Sequence, residues 1–356
     1  MSTELLTNIS VKKTTNSRLS EVDFNSLEFG KYTADHMLVC DYSHGEWQEP
    51  SIVPFGNLSL RPDTLALHYG QTVFEGMKAF RMKDNRINIF RLDKHFDRFN
   101  RSLYRMCMPD IPEDIFKEGL KQLIQTDSEW VPKQEGSSLY IRPFMYASEA
   151  KLGVKPADEY RFIIFSSPVQ SVFAKPIKLK IETEYIRAAR GGTGFAKCGG
   201  NYGASFFPTQ EAKKQGYDQV LWTGGKNNRF IEESGMMNAM FVIDNKLVTP
   251  PLSDSILDGV TRDSLMTIAE QEGIATDERP VSIDELKTAF IDDRITEAFG
   301  AGTAAVVVPI ERIGIEGTDY LLPPYSSQSV HNILKDKLNR IRTGINDDVY
   351  KWNTII

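Results

Sequence analysis

The chain has 356 residues, 41% of them hydrophobic and 25% charged, with a formal net charge of −6. That length suggests about two domains with a sizeable core, and an acidic balance without a basic stripe argues against a nucleic-acid surface. Cys40, Cys107 and Cys198 stand far apart and the histidines, His36, His44, His68, His95 and His331, lack ligand spacing, so neither a disulfide framework nor a metal site is expected, and a reducing, cytoplasmic compartment fits.

Residues 1–28 lack the apolar stretch of a secretory signal and carry Glu4, Glu21 and Asp23, so they read as a partly disordered arm. Apolar runs such as Ala304 to Ile310 fall well short of the roughly 20 residues that span a membrane. From Lys31 the pattern becomes structured: DHMLVCDYSHGEWQEPSIVPF reads as a hairpin turning at Ser43 to Gly45. Ser59 to Phe80 is crowded with aromatic and small residues, His68, Tyr69, Gly70, Phe74 and Gly76, and reads as buried packing. A second hairpin over Met82 to Phe90 leads to a helix that Asp93 can N-cap and that runs to about Met106. Its apolar face is Leu92, Phe96, Phe99, Leu103 and Met106; Arg98 lies off that face with Lys94, Arg101 and Arg105, as on a solvated basic side. Pro112 suits the first turn of the next helix. Ser138 to Tyr146 and Arg161 to Ser166 read as strands, the first placing Tyr140 and Arg142 on one face. That pair suits a carboxylate ligand or an internal salt bridge, and the pattern leaves both open.

Pro168 to Pro176 reads as a linker. After a strand at Ile177 to Ile181 comes GGTGFAKCGGNYG, Gly191 to Gly203, which sets Lys197 among glycines. The glycines let the backbone turn sharply and approach a bound group closely. The stretch suits a flexible loop, an imperfect P-loop with Ala196 and Cys198 at two required positions, or a lysine that attacks carbonyls. A helix follows over about Ala204 to Gln215, with Pro208 in conflict and Gly216 at its end. Gln219 to Trp222 is a strand, and Ala239 to Ile243 with Lys246 to Thr249 form a hairpin about Asp244-Asn245. In RFIEESGMMNAMF one of the two acids, Glu232 or Glu233, points inward if the strand is covered on one face. Thr261 can N-cap a helix whose start favours phosphate, Ser282 and Glu285 form a capping box, and Phe299 to Ile310 gives a small-residue turn and then a strand. The last helix runs from Val330 to Ile341 and ends near Gly344. The irregular alternation, without a Rossmann fingerprint, defines an α+β protein of two domains.

The ordered set LHYGQTVFEGMKAF, FRLDKHFDR, SLYIRPF, FAKCGGNYG, FIEESGMMN, LDGVTR and FGAGTAAVVVPI closely resembles the branched-chain amino acid aminotransferases, enzymes of fold-type IV that depend on pyridoxal 5′-phosphate (PLP). The resemblance covers the chain from Phe29 to the C-terminal helix. It implies a D-amino acid aminotransferase-like fold: an arm at 1–28, a small N-terminal α/β domain at 29–169, a linker at 170–183, and a larger PLP-binding domain at 184–356 with a β-barrel-like sheet. It further implies that Lys197 is the catalytic Schiff-base lysine, that Glu233 faces the pyridine nitrogen, and that Tyr202 lies beside the phenolic oxygen. By the same resemblance Arg98, the backbone of Val260, Thr261 and Thr303 hold the phosphate, which reverses the solvated reading of Arg98. Tyr140 and Arg142, with the amides of Thr303 and Ala304, match residues that recognise substrate carboxylates; Phe29, Tyr69, Phe74 and Val154 match walls of the side-chain pocket. The activity implied is transamination of branched-chain L-amino acids with 2-oxoglutarate by a homodimer. A D-amino acid aminotransferase or aminodeoxychorismate lyase is the alternative within the fold, and Tyr140 to Pro143, YIRP, speaks against both. Asp258 stands where the family usually has proline, Ala301 where serine is common, and Ala305 and Val308 where animal members carry a cysteine pair.

Overall fold

The computed structural model describes residues 8–170 and 175–356. The chain divides into two compact units, one of Met1–Val172, Ala196–Gly200 and Arg342–Ile356, the other of Phe173–Phe195 and Asn201–Ile341. Part of the expected linker, 171–174, lies outside the described residues, and the strand before it continues through Pro168 to Val169.

The first unit is built on a ten-stranded sheet. Its centre is the antiparallel pair Ser138–Ala147 and Tyr160–Val169, matched residue for residue along its length. Alternation sends Leu139, Ile141 and Met145 into one core with Phe99 and Leu103 of the helix Leu92–Arg105 and Leu120 and Leu123 of the helix Gly119–Thr126, while Tyr140 and Arg142 share the other face. The hairpins expected on either side of Ser43 to Gly45 and Lys83 to Arg86 are present. One edge of the sheet is completed from the far end of the chain, where Asn353–Ile355 pairs with Ile87–Phe90.

The described part of the expected arm is ordered, and two expectations for this unit are corrected. The arm is tied down from Ser10: Ser10–Val11 pairs with Ser51 and Ile52, the Thr14 amide donates to His36 Nε2, and Ser17 donates to Asp35. Ser59 to Phe80 is not buried packing throughout, since Tyr69 in the short helix Leu65–Tyr69 is 42% exposed. Asp93 caps nothing; the helix begins behind Arg91 in a left-handed conformation without a side-chain cap, and Asp93 pairs instead with Lys117.

In the second unit six strands close into a barrel: Ile177–Glu182, Gln219–Gly224, Phe230–Ser234, Met237–Ile243, Ile295–Gly302 and Val306–Ile315. Closure follows because Phe230–Ser234 pairs with both Gln219–Gly224 and Met237–Ile243. Both surfaces of the barrel wall are covered. Leu221 joins Phe241, Ile310 and the helix residues Ile283 and Leu286 in one cluster, whereas its neighbours Val220 and Trp222 pack with Ala212 of the helix Phe206–Lys214. That helix starts late enough to put Pro208 in its first turn, where no intrahelical amide is needed, which removes the conflict noted in the sequence. Among the described residues no helix is long and apolar enough to cross a membrane.

Candidate active site

Within the first unit, Lys197 is held by its backbone on both sides. Its amide donates to Ser102 Oγ at 2.9 Å, and its carbonyl accepts the Phe74 amide at 2.9 Å. The Gly199 amide donates to the Thr72 carbonyl at 3.2 Å, and a Cβ at Gly199 would lie 2.5 Å from Thr72 Oγ1, so this approach requires glycine. The stretch is therefore an added edge to the strand Thr72–Phe74 rather than a loose loop. Cys198 is buried in the core of this unit, which gives it a packing role.

The Lys197 ammonium lies 4.9 Å from the centre of the Phe74 ring. The Arg142 guanidinium lies 4.8 Å from the same ring, donates to the Tyr140 hydroxyl at 3.1 Å, and Phe29 packs edge-on against Tyr140 at 5.0 Å. A Cβ at Gly76 would come within 2.0 Å of that hydroxyl, so Gly76 makes room for it. Five residues singled out in the sequence thus form one cluster: Phe29, Phe74, Tyr140, Arg142 and Lys197. Tyr69 and Val154 are exposed, at 42% and 90%, as is Phe29 of the cluster at 46%.

Arg98 is 3% exposed, which corrects the solvated reading drawn from helix periodicity. The cause is Glu75, an acid with no exposed surface, which accepts Arg98 Nε at 2.8 Å and also the second guanidinium arm. His95 Nδ1 lies 3.3 Å from the same carboxylate. Burial raises the Glu75 pKa, but the Arg98 charge and His95 outweigh it and hold the acid well below the usual carboxylate range. Burial keeps His95 below its ordinary value, against the pull of Glu75. Glu75 escapes the sequence reading; its one signal is an acid set between Phe74 and Gly76, in the short gap between the strands Thr72–Phe74 and Met77–Arg81.

In the second unit one end of the barrel collects the remaining predicted residues. Glu233 pairs in register with Asn238, and Asn238 with Ala301. Both Glu232 and Glu233 are buried, at 8% and 3% exposure, because the wall is covered on both surfaces rather than one. Glu233 Oε1 accepts the Leu257 amide at 2.7 Å, and Oε2 lies 3.0 Å from Arg187 Nε. Tyr202, in the short helix Gly200–Gly203, lines one pocket with Arg187, Glu233 and Leu257. Thr261 is the second residue of the helix Val260–Gln271, and Gly259, not Thr261, occupies the cap position. A Cβ at Gly259 would lie 1.9 Å from Asn238 Oδ1, so the close seat of the helix start on the barrel explains the glycine. Thr303 and Ala304 fall in the turn between Ile295–Gly302 and Val306–Ile315. Val306 has φ +64, a left-handed conformation that a β-branched residue rarely adopts.

A family model described as Amino-transferase class IV matches residues 72–313. A probable branched-chain-amino-acid aminotransferase of Staphylococcus aureus (strain MRSA252) is 43% identical over 94% of each chain. The branched-chain-amino-acid transaminase 1 of Bacillus subtilis (strain 168) is 43% identical over 93% of this chain and 94% of its own. Among solved structures, the branched-chain amino acid aminotransferase of Escherichia coli is similar with a TM-score of 0.73 and 26% identity, covering 90% of this chain and 98% of that one. The chain belongs to the class IV aminotransferases and, within them, to the branched-chain-amino-acid aminotransferases.

Proposed function

We propose that the protein transfers the amino group of L-leucine, L-isoleucine or L-valine reversibly to 2-oxoglutarate with PLP as cofactor, as a cytoplasmic homodimer with small and large domains at 29–169 and 184–356. The observation that carries this reading is the fixed position of Lys197: a backbone pinned at both faces and an amine laid over Phe74, in a chain of this family. The cofactor, when bound, supplies an aldehyde for the amine and an electron sink for the substrate α-carbon. Lys197 would hold that aldehyde through its amine and would carry the α-proton. Arg98, the backbone of Val260, Thr261 and Thr303 would hold the phosphate, Tyr202 would stand beside the phenolic oxygen and Glu233 opposite the ring nitrogen. Arg142 and Tyr140 supply a guanidinium and a hydroxyl for carboxylates, with the Thr303 and Ala304 amides, while Phe29 and Phe74 give apolar walls. Tyr69 and Val154 are further walls of that pocket in this reading.

Purified protein is expected to be yellow, and borohydride is expected to fix the cofactor on the peptide that contains Lys197, as read by mass spectrometry. Steady-state rates with 2-oxoglutarate should favour L-leucine, L-isoleucine and L-valine over D-alanine. A colourless protein, or a preference for D-alanine, would overturn the assignment.

A further inference from the structure

Two adjacent buried acids, Glu232 and Glu233, share the neighbourhood of one buried cation, Arg187, whose side chain is 8% exposed. The Arg187 Nε sits 3.0 Å from Glu233 Oε2, within ion-pair distance but off the line of an aligned hydrogen bond. The far end of the guanidinium is fixed by two carbonyls, since Nη2 donates to Gly194 at 3.1 Å and to Ser255 at 2.5 Å. Gly194 has no room for a side chain, as a Cβ there would lie 2.5 Å from the Ser255 backbone. Ser255 in turn donates its hydroxyl to Glu232 Oε1 at 2.5 Å. Glu232 therefore has a neutral hydroxyl as its near partner, and burial pushes its carboxyl above the usual range against the pull of Ser255 and the more distant Arg187 charge. Glu233 has the cation itself and a backbone amide.

Resting on the reading that Glu233 faces the cofactor's ring nitrogen, we propose that Arg187 is a positioning residue that selects Glu233, and not Glu232, as the ionised acid and so keeps the shared proton on that nitrogen. A cation beside the carboxylate stabilises the arrangement carboxylate plus protonated ring over carboxylic acid plus neutral ring. The two carbonyl contacts hold the guanidinium where its Nε meets Glu233, so charge and aim come from one side chain. Sequence patterning carries no signal of this, because Arg187 lies in an irregular stretch with no periodic face.

The test uses holoenzyme reconstituted with ¹⁵N-labelled PLP and reads the nitrogen chemical shift by NMR beside steady-state kinetics. Arg187→Met is expected to move the signal toward the unprotonated position and to lower kcat by ~10–100-fold, the range for residues that orient a functional group from behind, with little change in KM for the amino acid. Arg187→Lys, which keeps the charge, should hold the nitrogen protonated with a smaller loss. If Arg187→Met does not fold, Arg187→Gln carries the same expectation, because it removes the charge while keeping hydrogen-bonding capacity. A wild-type signal and kcat in the charge-removing variant, or loss of the protonated signal in Arg187→Lys, overturns the proposal. Glu233→Gln separates the two levels: if it leaves the nitrogen signal unchanged, the assignment of Glu233 fails, whereas a shift in Glu233→Gln without one in Arg187→Met defeats the Arg187 proposal alone.

Discussion

Each unit buries an arginine–glutamate pair, Arg98 with Glu75 in the first and Arg187 with Glu233 in the second, and the proposed function uses the two pairs in opposite senses. Under that proposal the arginine of the first is the functional member and the acid its anchor, whereas in the second the acid is functional and the arginine anchors it. The difference follows from the proposed ligand, whose phosphate needs a cation and whose ring nitrogen needs an anion. The common rule is that a functional charge removed from water cannot be left alone, since removing one partner of a buried pair costs ~3–5 kcal/mol.

The comparison is broken most directly by neutralising each acid. Glu233→Gln should lower turnover by ~10²–10³-fold, the scale for losing one electrostatic contact to the reacting group, while PLP affinity changes little. Glu75→Gln should do the reverse, raising the PLP dissociation constant measured by cofactor fluorescence ~10–100-fold, as when the support behind a ligand-binding group is removed. Equal effects of the two variants on both quantities would show that the pairs are not used in opposite senses.

Another buried carboxylate sharpens the contrast because its partners give it a structural task. Glu297 accepts the Val330 and His331 amides at 2.6 and 3.0 Å and the His331 ring at 2.6 Å, so it anchors the start of the helix Val330–Arg342. Burial raises its pKa, but His331 and the two amides outweigh this and leave it lowered. A lowered carboxylate stabilises the fold above its ordinary pKa of about 4.3, and that stability is lost as the pH falls through the folded value. Glu297→Gln should therefore reduce unfolding free energy by ~1–3 kcal/mol at pH 7, a gap that closes as the pH drops below about 4, with turnover per folded molecule unchanged. The smallest effect belongs to Ser102→Ala, which removes the side-chain acceptor of the Lys197 amide. It should cost about 1 kcal/mol in chemical denaturation and leave PLP bound.

Much of the scaffold is legible without coordinates. The hairpin at Asp244-Asn245 turns with both residues at positive φ, at 50° and 60°, as that residue pair favours. The Ser282 hydroxyl accepts the Glu285 amide, as its capping-box spacing predicts. Tyr140 and Arg142 share a face because side chains alternate along a strand. The misses have one physical cause: a local period shows which residues share a face but not what covers it. Arg98 lies off the apolar stripe of its helix, yet Glu75, twenty-three positions earlier, buries it. A one-in, one-out arrangement of Glu232 and Glu233 suits a sheet covered on one surface, whereas a closed barrel covered on both buries the two together. Thr261 has the chemistry of a cap, but the tight seat beside Asn238 gives the position to Gly259.

The first unit is finished by residues that leave the ribosome late. Its strand Thr72–Phe74, paired first with Ser138–Ala147, gains its second neighbour only when residues 197–199 have been made, and its sheet gains the edge strand Asn353–Ile355 only when those late residues have been made. Synthesis at ~5–20 residues per second spreads these events over tens of seconds. During that interval Ile87–Phe90 presents open backbone groups that another chain can pair with, so the arrival of Asn353–Ile355, rather than completion of the N-terminal half, closes this edge to mispairing.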